Sequence, residues 1–314
     1  MENGQSAIGK TTAAHHAKNR GGKGLAMTPT QKFESFNDED AAWGTVAQDA
    51  AVEDKTFQDI AVQNVRMRLF SLQDLEYKEF HRKLLPTIDP DRIIGVRVPK
   101  VRALAKELRN TPESHAFFHA LPHRYFEENN LHGFLIEHMN DFDDVAEALD
   151  EFLPHIDNWA TCDSISPKTF SKHPDKLLAK IDEWLSSDKA FTVRFAIGML
   201  MKHFLDDRFE ERFLDIVASV AHEGWSDENE QQAVGADGST TYDNAYYVNM
   251  MRAWYFATAL AKQPDATLPY IEQYRLDQWT HNKAIQKAIE SRRIDSELKA
   301  HLRTLRASSE RRIR

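Results

Sequence analysis

One short segment of the sequence combines an aromatic ring with a carboxylate at helical spacing. Trp159 and Asp163 follow Pro154, and the residues around them favour a helix that begins near Trp159. Side chains four residues apart lie on the same face of a helix, one turn from each other. An exposed indole ring offers a cation–π contact and the carboxylate offers charge, so the pair is suited to grip a flat, positively charged group. The alternative is that Trp159 anchors the core and that Asp163 takes part in a helix cap or a salt bridge.

Two further residues interrupt helical runs that are otherwise apolar. Arg194 and Trp254 each lie inside such a run. If the helices stack as repeats, corresponding helical faces bring both residues toward one groove with Trp159 and Asp163. The planar guanidinium of Arg194 would hold a phosphate there. The alternative is that Arg194 pairs with a neighbouring carboxylate and that Trp254 packs in the core.

The familiar motifs of nucleotide, metal and hydrolase chemistry do not occur in the sequence. It contains no P-loop, no glycine fingerprint of a dinucleotide site, no HExxH and no G-x-S-x-G. The 14 histidines are scattered, and Pro122 breaks the helical face that His119 and His123 would share. Cys162 has no obvious activating neighbour and is interpreted as a small, packed helical residue. We therefore expect neither a cofactor nor a bound metal.

The elements that position these residues are predicted to be helices. Apolar residues recur at helical spacing from about residue 62 onward, and prolines lie near the expected helix ends. The first helix is expected to run through Leu69 and Leu85 and to stop at Pro86, and the next to run from Pro99 to Leu108. The remaining predicted helices are 112–120, 123–139, 142–153, 159–171, 174–186, 190–205, 208–222, 243–262, 265–275, 278–291 and 295–307. No run alternates with the period of a strand, so the pattern predicts an all-α fold.

The predicted helices recur as similar pairs. A small residue between apolar ones marks the segments 195–198, 250–254 and 283–285. With the polar insertion 226–241 set aside as a surface loop, the repeat unit is about 35–40 residues. Two-helix repeats of this length stack into an α-solenoid with a concave binding face. An irregular helical bundle is the alternative architecture.

The composition is that of a globular, helix-rich protein with an acidic balance. The 314 residues are 41% hydrophobic and 28% charged, and 40 basic against 49 acidic residues give a net charge of −9. Such a balance argues against a chain wrapped in nucleic acid, whose footprint is usually basic. Residues 292–314, however, hold eight Lys or Arg against three acidic residues, a local charge of +5. A protein with a net negative charge can thus still carry a basic edge.

The chain is expected to divide into three parts. Residues 1–61 are predicted to be a disordered N-terminal extension, because the first 30 are poor in large apolar side chains and the next 31 are acidic. Residues 62–307 form the predicted folded domain and 308–314 a basic tail. No apolar run could span a bilayer, no signal peptide is evident, and a single cysteine suits a reducing compartment. We expect a cytoplasmic protein without a membrane partner, and a monomer, since no exposed heptad seam is evident.

Four segments carry a resemblance to a known family. They are 94–99 (IGVRVP), 159–164 (WATCDS), 192–196 (TVRFA) and 247–254 (YVNMMRAW). In their order and spacing, the residues from about 66 to 307 resemble the HEAT-like-repeat DNA glycosylases of the AlkD superfamily, the DNA alkylation repair proteins. The resemblance implies a C-shaped α-solenoid whose concave face binds duplex DNA.

What the resemblance implies about activity is base excision repair by a monofunctional DNA glycosylase. Such an enzyme hydrolyses the N-glycosidic bond of cationic N3- or N7-alkylated purines in duplex DNA. By resemblance, Asp163 stabilises the oxocarbenium-like transition state and positions water, while Trp159 and Trp254 contact the sugar and backbone. Arg194 would bind a phosphate near the lesion. Most glycosylases extrude the target base into a pocket, but the resemblance implies that members of this family need not do so. The sequence has no evident base pocket, which fits that implication.

Two features leave other functions open. Residues 141–157 hold seven Asp or Glu and no Lys or Arg, and the segment 86–99 is compact, as in a branch of the superfamily that lacks part of an early DNA-contacting element. One alternative is a non-catalytic HEAT-like-repeat protein of the same superfamily that binds DNA structures or a protein partner. The other is a protein-binding scaffold without a nucleic-acid role.

Overall fold

A computed structural model describes residues 38–221, 232–234, 240–242 and 244–307 of the chain. Within these residues the chain forms fourteen α-helices and one two-stranded hairpin. The helices are α1 (Asp38–Ser71), α2 (Leu75–His81), α3 (Val98–Leu108), α4 (Pro112–Phe118), α5 (Phe126–Ile136), α6 (Phe142–Phe152), α7 (Trp159–Ser164), α8 (Pro174–Leu185), α9 (Ala190–His203), α10 (Arg212–Ser219), α11 (Asn244–Lys262), α12 (Pro264–Glu272), α13 (Gln278–Glu290) and α14 (Ser296–Thr304).

The chain divides into two compact units, residues 1–50 and residues 51–314. Of the first unit the structure describes residues 38–50, which are helical. The expected border between residues 61 and 62 lies inside α1. Of the residues 1–61 that are expected to be disordered, the structure describes 38–61, which are helical. Residues 1–37 and the basic tail 308–314 fall outside the described residues, so the three-part division stays a prediction.

The helices of the second unit pack in two rows that follow the order of the chain. In one row α3 packs on α5, α5 on α7, α7 on α9, α9 on α11, and α11 on α13. In the other row α6 packs on α5, α8 on α9, α12 on α11, and α14 on α13. Stacking in which each pair contacts only its neighbours is the architecture of an α-solenoid. The predicted all-α solenoid is therefore confirmed.

The core lies between the two rows. Its largest apolar cluster extends from Ile136 at the end of α5 to Leu302 in α14, and a second joins α1, α3 and α5. α5 is buried along its whole length and α9 along nearly all of it, as expected of central helices. Among the described residues no helix is both long and apolar enough to cross a membrane.

The first predicted helix is in fact two helices. α1 ends at Ser71, and the next helix begins at Leu75 instead of continuing to Pro86. The Asp74 carboxylate accepts a hydrogen bond from the Tyr77 backbone N–H (2.9 Å), which caps the N-terminus of α2. The backbone N–H of Asp74 also donates to the Gly95 carbonyl (2.9 Å). These long-range and capping bonds divert the chain where periodicity alone predicts one helix.

The predicted helix 159–171 is also shorter than expected. α7 ends at Ser164, and residues 168–172 form a separate 3-10 helix. Pro167 explains the break, since the ring of a proline disfavours helical dihedrals in the residue before it.

The polar insertion 226–241 contains a hairpin where a loop is expected. Gln232–Val234 pairs antiparallel with Thr240–Tyr242, with Ala233 opposite Thr241. Strands of three residues are too short for an alternating pattern to identify them. The remainder of the insertion lies outside the described residues.

Candidate active site

The short helix α7 presents the aromatic–carboxylate pair from a rigid base. Asn158 is its N-cap, and the Asn158 side-chain oxygen accepts from the Thr161 backbone N–H (2.8 Å). The Thr161 hydroxyl donates in turn to the side-chain oxygen of Asn130 on α5 (2.8 Å). Asn158 and Thr161 are fully buried, so water does not compete for these hydrogen bonds. The predicted one-turn spacing of Trp159 and Asp163 is thus fixed by buried polar contacts.

Asp163 is held by a two-pronged salt bridge to Arg194. The Arg194 Nε donates to Oδ1 of Asp163 (2.9 Å) and its Nη2 donates to Oδ2 (2.6 Å). The Arg194 side chain is 5% exposed and that of Asp163 is 15% exposed. The third guanidinium nitrogen, Nη1, donates to the backbone oxygen of Tyr247 on α11 (2.6 Å). The guanidinium therefore joins α7, α9 and α11.

This geometry corrects the expected role of Arg194. All three of its nitrogens have partners inside the protein, and its side chain is nearly inaccessible, so it does not present a fork to a phosphate. Burial by itself lowers the pKa of Arg194, but the charge and hydrogen bonds of Asp163 outweigh burial and raise that pKa. A buried guanidinium needs such a partner, which is why it pairs with the carboxylate.

A lysine also fixes the C-terminal end of α7. The Lys202 ammonium on α9 donates to the backbone oxygens of Asp163 (3.1 Å) and Ile165 (3.2 Å). A cation at this end offsets the negative end of the helix dipole. Burial lowers the pKa of Lys202, against the opposing charge of Asp163. Both the carboxylate and the main chain of Asp163 are thus anchored on α9.

Trp159 is partly buried and bridges two parts of the fold. Its ring packs against the main core and against the small cluster that contains Leu85 and Phe126. Its indole N–H donates to the Leu84 backbone oxygen (3.1 Å). The ring therefore packs against the core, as in the core-anchor interpretation, and also lines a cleft.

Trp254 is exposed and forms part of an aromatic and apolar stripe on α11. Its side chain is 42% exposed, in contrast to the buried residues around it. Tyr246, Met250 and Trp254 follow one another at intervals of four residues, so they share a helical face. The ring of Tyr246 packs edge-on against that of Trp279, with 5.6 Å between the ring centroids. This contact fixes the N-terminal end of the stripe.

All four residues expected at the site line one cleft of ≈ 500 Å³. Leu84, Pro86 and the stripe on α11 line the cleft with them. The Asp163–Arg194 pair lies in the same cleft. The residues that sequence reasoning did not identify are Lys83, Leu84, Pro86, Tyr246, Met250 and Lys287. The spacing of Tyr246 and Met250 before Trp254 was a readable signal, whereas nothing in the sequence pointed to Lys287.

A second cleft of ≈ 520 Å³ adjoins the first, since Trp254 and Lys287 line both. It is basic, with Glu290 as the carboxylate among its lining residues. The cations that line it are Lys202, Lys262, Lys287 and Arg293. Together the two clefts form a trough that is lined by aromatic and apolar side chains and by these cations.

The structure gives Cys162 and the histidines structural surroundings. Cys162 is fully buried, its thiol donates to the Phe191 backbone oxygen (3.3 Å), and burial raises its pKa, so it is not a thiolate nucleophile. His123 and His132 form a buried pair with 2.8 Å between ring nitrogens. In the part of the chain that the structure describes, no three His, Cys, Asp or Glu side chains are grouped so as to hold a metal ion.

Comparison with known proteins identifies a family that the chain matches. A model of the family described as DNA alkylation repair enzyme matches residues 66–236, which is more than half of the chain. The match covers α7 and α9 with Asp163 and Arg194, whereas Trp254 and Lys287 lie beyond it. No curated protein matches the chain. By the family match, this chain belongs to the DNA alkylation repair enzyme family.

Proposed function

We propose that this protein is a DNA repair glycosylase that hydrolyses the N-glycosidic bond of cationic N3- or N7-alkylated purines in duplex DNA. The observation that supports it most is a carboxylate, Asp163, held rigidly by Arg194 at the base of an aromatic-walled cleft. Family membership supports a role in the repair of alkylated DNA, and the cleft supports the reaction.

The chemistry of a cationic purine suits a site without a general acid. Alkylation at N3 or N7 places positive charge on the base, which weakens its bond to the sugar and makes it a good leaving group. As the bond breaks, positive charge develops on the sugar. A fixed, partly desolvated carboxylate such as Asp163 stabilises that charge more strongly than mobile water does. The transition state is thereby favoured over the bound substrate.

Arg194 has a positioning role in this proposal. Its two bonds to Asp163 fix the direction of the carboxylate. A carboxylate oxygen accepts more than one hydrogen bond, so each oxygen of Asp163 can still accept from a water molecule that attacks the sugar. The cost is that the guanidinium offsets part of the negative charge of Asp163.

The aromatic walls supply contacts for the sugar and the cationic base. Trp254 is exposed and lines both clefts, and Trp159 lines the first cleft with it. Aromatic faces attract cations, and the attraction is larger where water is excluded. The tryptophans thus favour a charged alkylpurine nucleotide over an unmodified one.

The basic cleft provides contacts for the DNA backbone. Phosphate contacts fix the register of a protein on a duplex without reading its sequence. In place of Arg194, phosphate binding is assigned here to the cations of this cleft, among them the exposed Arg293. Binding through such residues predicts an affinity that falls as salt rises.

Release of 7-methylguanine and 3-methyladenine from methylated duplex DNA tests the proposal. Wild type is compared with Asp163→Asn, which keeps the size of the side chain and removes its charge. Asp143→Asn is the matched control, since Asp143 forms an exposed pair with Lys176 outside the cleft. We expect wild type and the control to release base and Asp163→Asn to lose release. Release by wild type no faster than the uncatalysed background contradicts the proposal.

One observation favours a second function, a non-catalytic protein that binds DNA. The two-pronged pairing with Arg194 reduces the charge that Asp163 can direct at a sugar. If wild type binds duplex DNA in a salt-dependent way but releases no base, the trough is a binding surface. If it neither releases base nor binds DNA, a protein-binding scaffold takes its place.

A further inference from the structure

Lys287 lies in the proposed catalytic cleft, in surroundings that are unusual for a lysine. It lies on α13, is half-buried, and lines both clefts at the point where Trp254 separates them. Within the described residues its ammonium forms no hydrogen bond or ion pair. Lys287 thus lines the space that a nucleotide bound in the proposed site would occupy.

The neighbouring cations of the trough differ in this respect. Lys202 donates to two backbone oxygens, Arg194 is bound to Asp163, and Lys262 pairs with Asp206 (2.6 Å). Lys287 is thus distinguished from these three cations by a side chain that is both sheltered and unengaged.

The surroundings of Lys287 lower the pKa of its amine. Burial lowers the pKa of Lys287, and the positive charges of Lys283 and Arg194 lower it further, against the opposing charges of Glu290 and Asp163. An amine becomes a nucleophile when it loses its proton, and desolvation beside another cation is a recognised way to achieve this.

The product of the proposed reaction supplies an electrophile in the same cleft. Hydrolysis of the glycosidic bond leaves an abasic sugar, which opens to an aldehyde at C1′. We propose that Lys287 attacks this aldehyde and forms a Schiff base, so that the protein is also an abasic-site lyase. This inference rests on the proposed binding of DNA in the cleft, but it does not require that the protein itself removes the base.

The steps balance without an oxidant, a reductant or a cofactor. Nζ of Lys287 bonds to C1′, and the aldehyde oxygen leaves as water. The iminium then acidifies the C2′ proton, which is lost to the Asp163 carboxylate or to solvent. The electron pair expels the 3′ phosphate as the C3′–O bond breaks. Water finally hydrolyses the imine, which regenerates the lysine and leaves a cleaved strand.

Borohydride trapping on a duplex with a pre-formed abasic site tests this inference. Reduction of the imine joins protein and DNA covalently, and strand cleavage is followed in parallel without borohydride. We expect wild type to form the adduct, and peptide mapping to locate it at Lys287. Lys287→Ala and Lys287→Arg are expected to lose it, since neither side chain forms an imine. Binding of the same duplex is measured beside each variant, so that adducts are compared at equal occupancy.

Lys283→Ala is the matched control. Lys283 lies one turn earlier on α13, its amine donates to the Gln286 side chain (3.2 Å), and it lies outside both clefts. We expect this variant to keep the adduct at Lys287, formed no faster than in wild type, because Lys283 contributes to the lowered pKa of that amine. No adduct with wild type, an adduct that persists in Lys287→Arg, or one that maps to Lys83 each overturns the inference. Because the abasic site is pre-formed, these outcomes are independent of the base-release assay.

Discussion

At the scale of single residues, the bond between Arg194 and Asp163 links the fold to the proposed chemistry. The guanidinium is nearly inaccessible and joins α7, α9 and α11 through Asp163 and the Tyr247 carbonyl. A buried ion pair adds little stability compared with apolar packing, but loss of one partner leaves the other without compensation. The pair is therefore better explained by the fixed direction of its carboxylate than by stability.

Substitution of Arg194 is expected to reduce both stability and activity. Arg194→Met fills the space with an apolar chain but leaves the carboxylate of Asp163 unpaired, so the free energy of unfolding should fall by about 3 kcal/mol. Urea unfolding followed by circular dichroism measures this, and base release is assayed on the folded protein.

The control for that substitution is an exposed salt bridge. Arg212 pairs with Glu210, and both side chains are more than half exposed. Arg212→Met should leave the unfolding curve unchanged, because exposed pairs are solvated and screened. Equal curves for the Arg194 and Arg212 variants would show that the cleft pair has no structural role.

At the scale of elements, the loop 94–96 shows how α5 organises the segment before α3. The Glu127 carboxylate is fully buried and accepts hydrogen bonds from the backbone N–H groups of Ile94, Gly95 and Val96, at 2.7 to 3.1 Å. Gly95 has a φ of +95°, a conformation that residues with a Cβ rarely adopt. The carboxylate thus replaces the regular backbone pairing that the loop lacks.

Gly95→Ala is expected to destabilise the fold. A Cβ at this position would lie 2.5 Å from Cβ of Lys78 and 2.9 Å from the Asp74 backbone oxygen. With the unfavourable φ, we expect a loss of about 2 kcal/mol or more, measured as a lower unfolding midpoint.

Gly198→Ala provides the matched comparison within a helix. Its Cβ would meet only the Met251 methyl at 3.6 Å, an ordinary contact. Alanine is favoured over glycine in a helix interior, so the free energy of unfolding should rise by about 0.5–1 kcal/mol. Destabilisation of similar size at both positions would contradict the role assigned to the Gly95 loop.

At the scale of the whole molecule, buried histidines make stability depend on pH. Burial lowers the pKa of five of the buried or half-buried histidines, and lowers that of His123 to about 3. They are His81, His123, His132, His203 and His281. The unfolded chain binds a proton at each of these sites below about pH 6.5, whereas the folded chain does not. Their contribution is therefore complete above that pH and is lost as the pH falls.

We expect the free energy of unfolding to fall between pH 7.5 and pH 5. His123 alone accounts for a loss of about 2 kcal/mol at pH 5. Glu127, whose pKa is raised by burial, acts in the opposite direction but is a single group. Urea unfolding at the two pH values measures the change. An unfolding free energy that is constant over this range contradicts the prediction.

The helical content and the stacking were predictable from the sequence because they depend on near neighbours. Periodic apolar residues, prolines at helix starts and the recurring small-residue segments indicate an α-solenoid without reference to distant contacts. The same holds for Trp159 and Asp163, whose shared face follows from their spacing. The break at Asp74 was not predictable, because it depends on a bond to Gly95 across a loop.

Local sequence thus determined the helical class of the fold and the face that carries Trp159 and Asp163, but not every helix boundary. Only the tertiary structure decided what those residues contact. A helical arginine is equally suited to a phosphate or to a carboxylate, and packing of α9 between α7 and α11 directs Arg194 to Asp163 and the Tyr247 carbonyl. Likewise Leu84 and Trp159, 75 residues apart, meet through a backbone bond that no spacing rule contains. Side chains on separate helices acquire their partners from the relative placement of those helices, and that placement is set by the core as a whole.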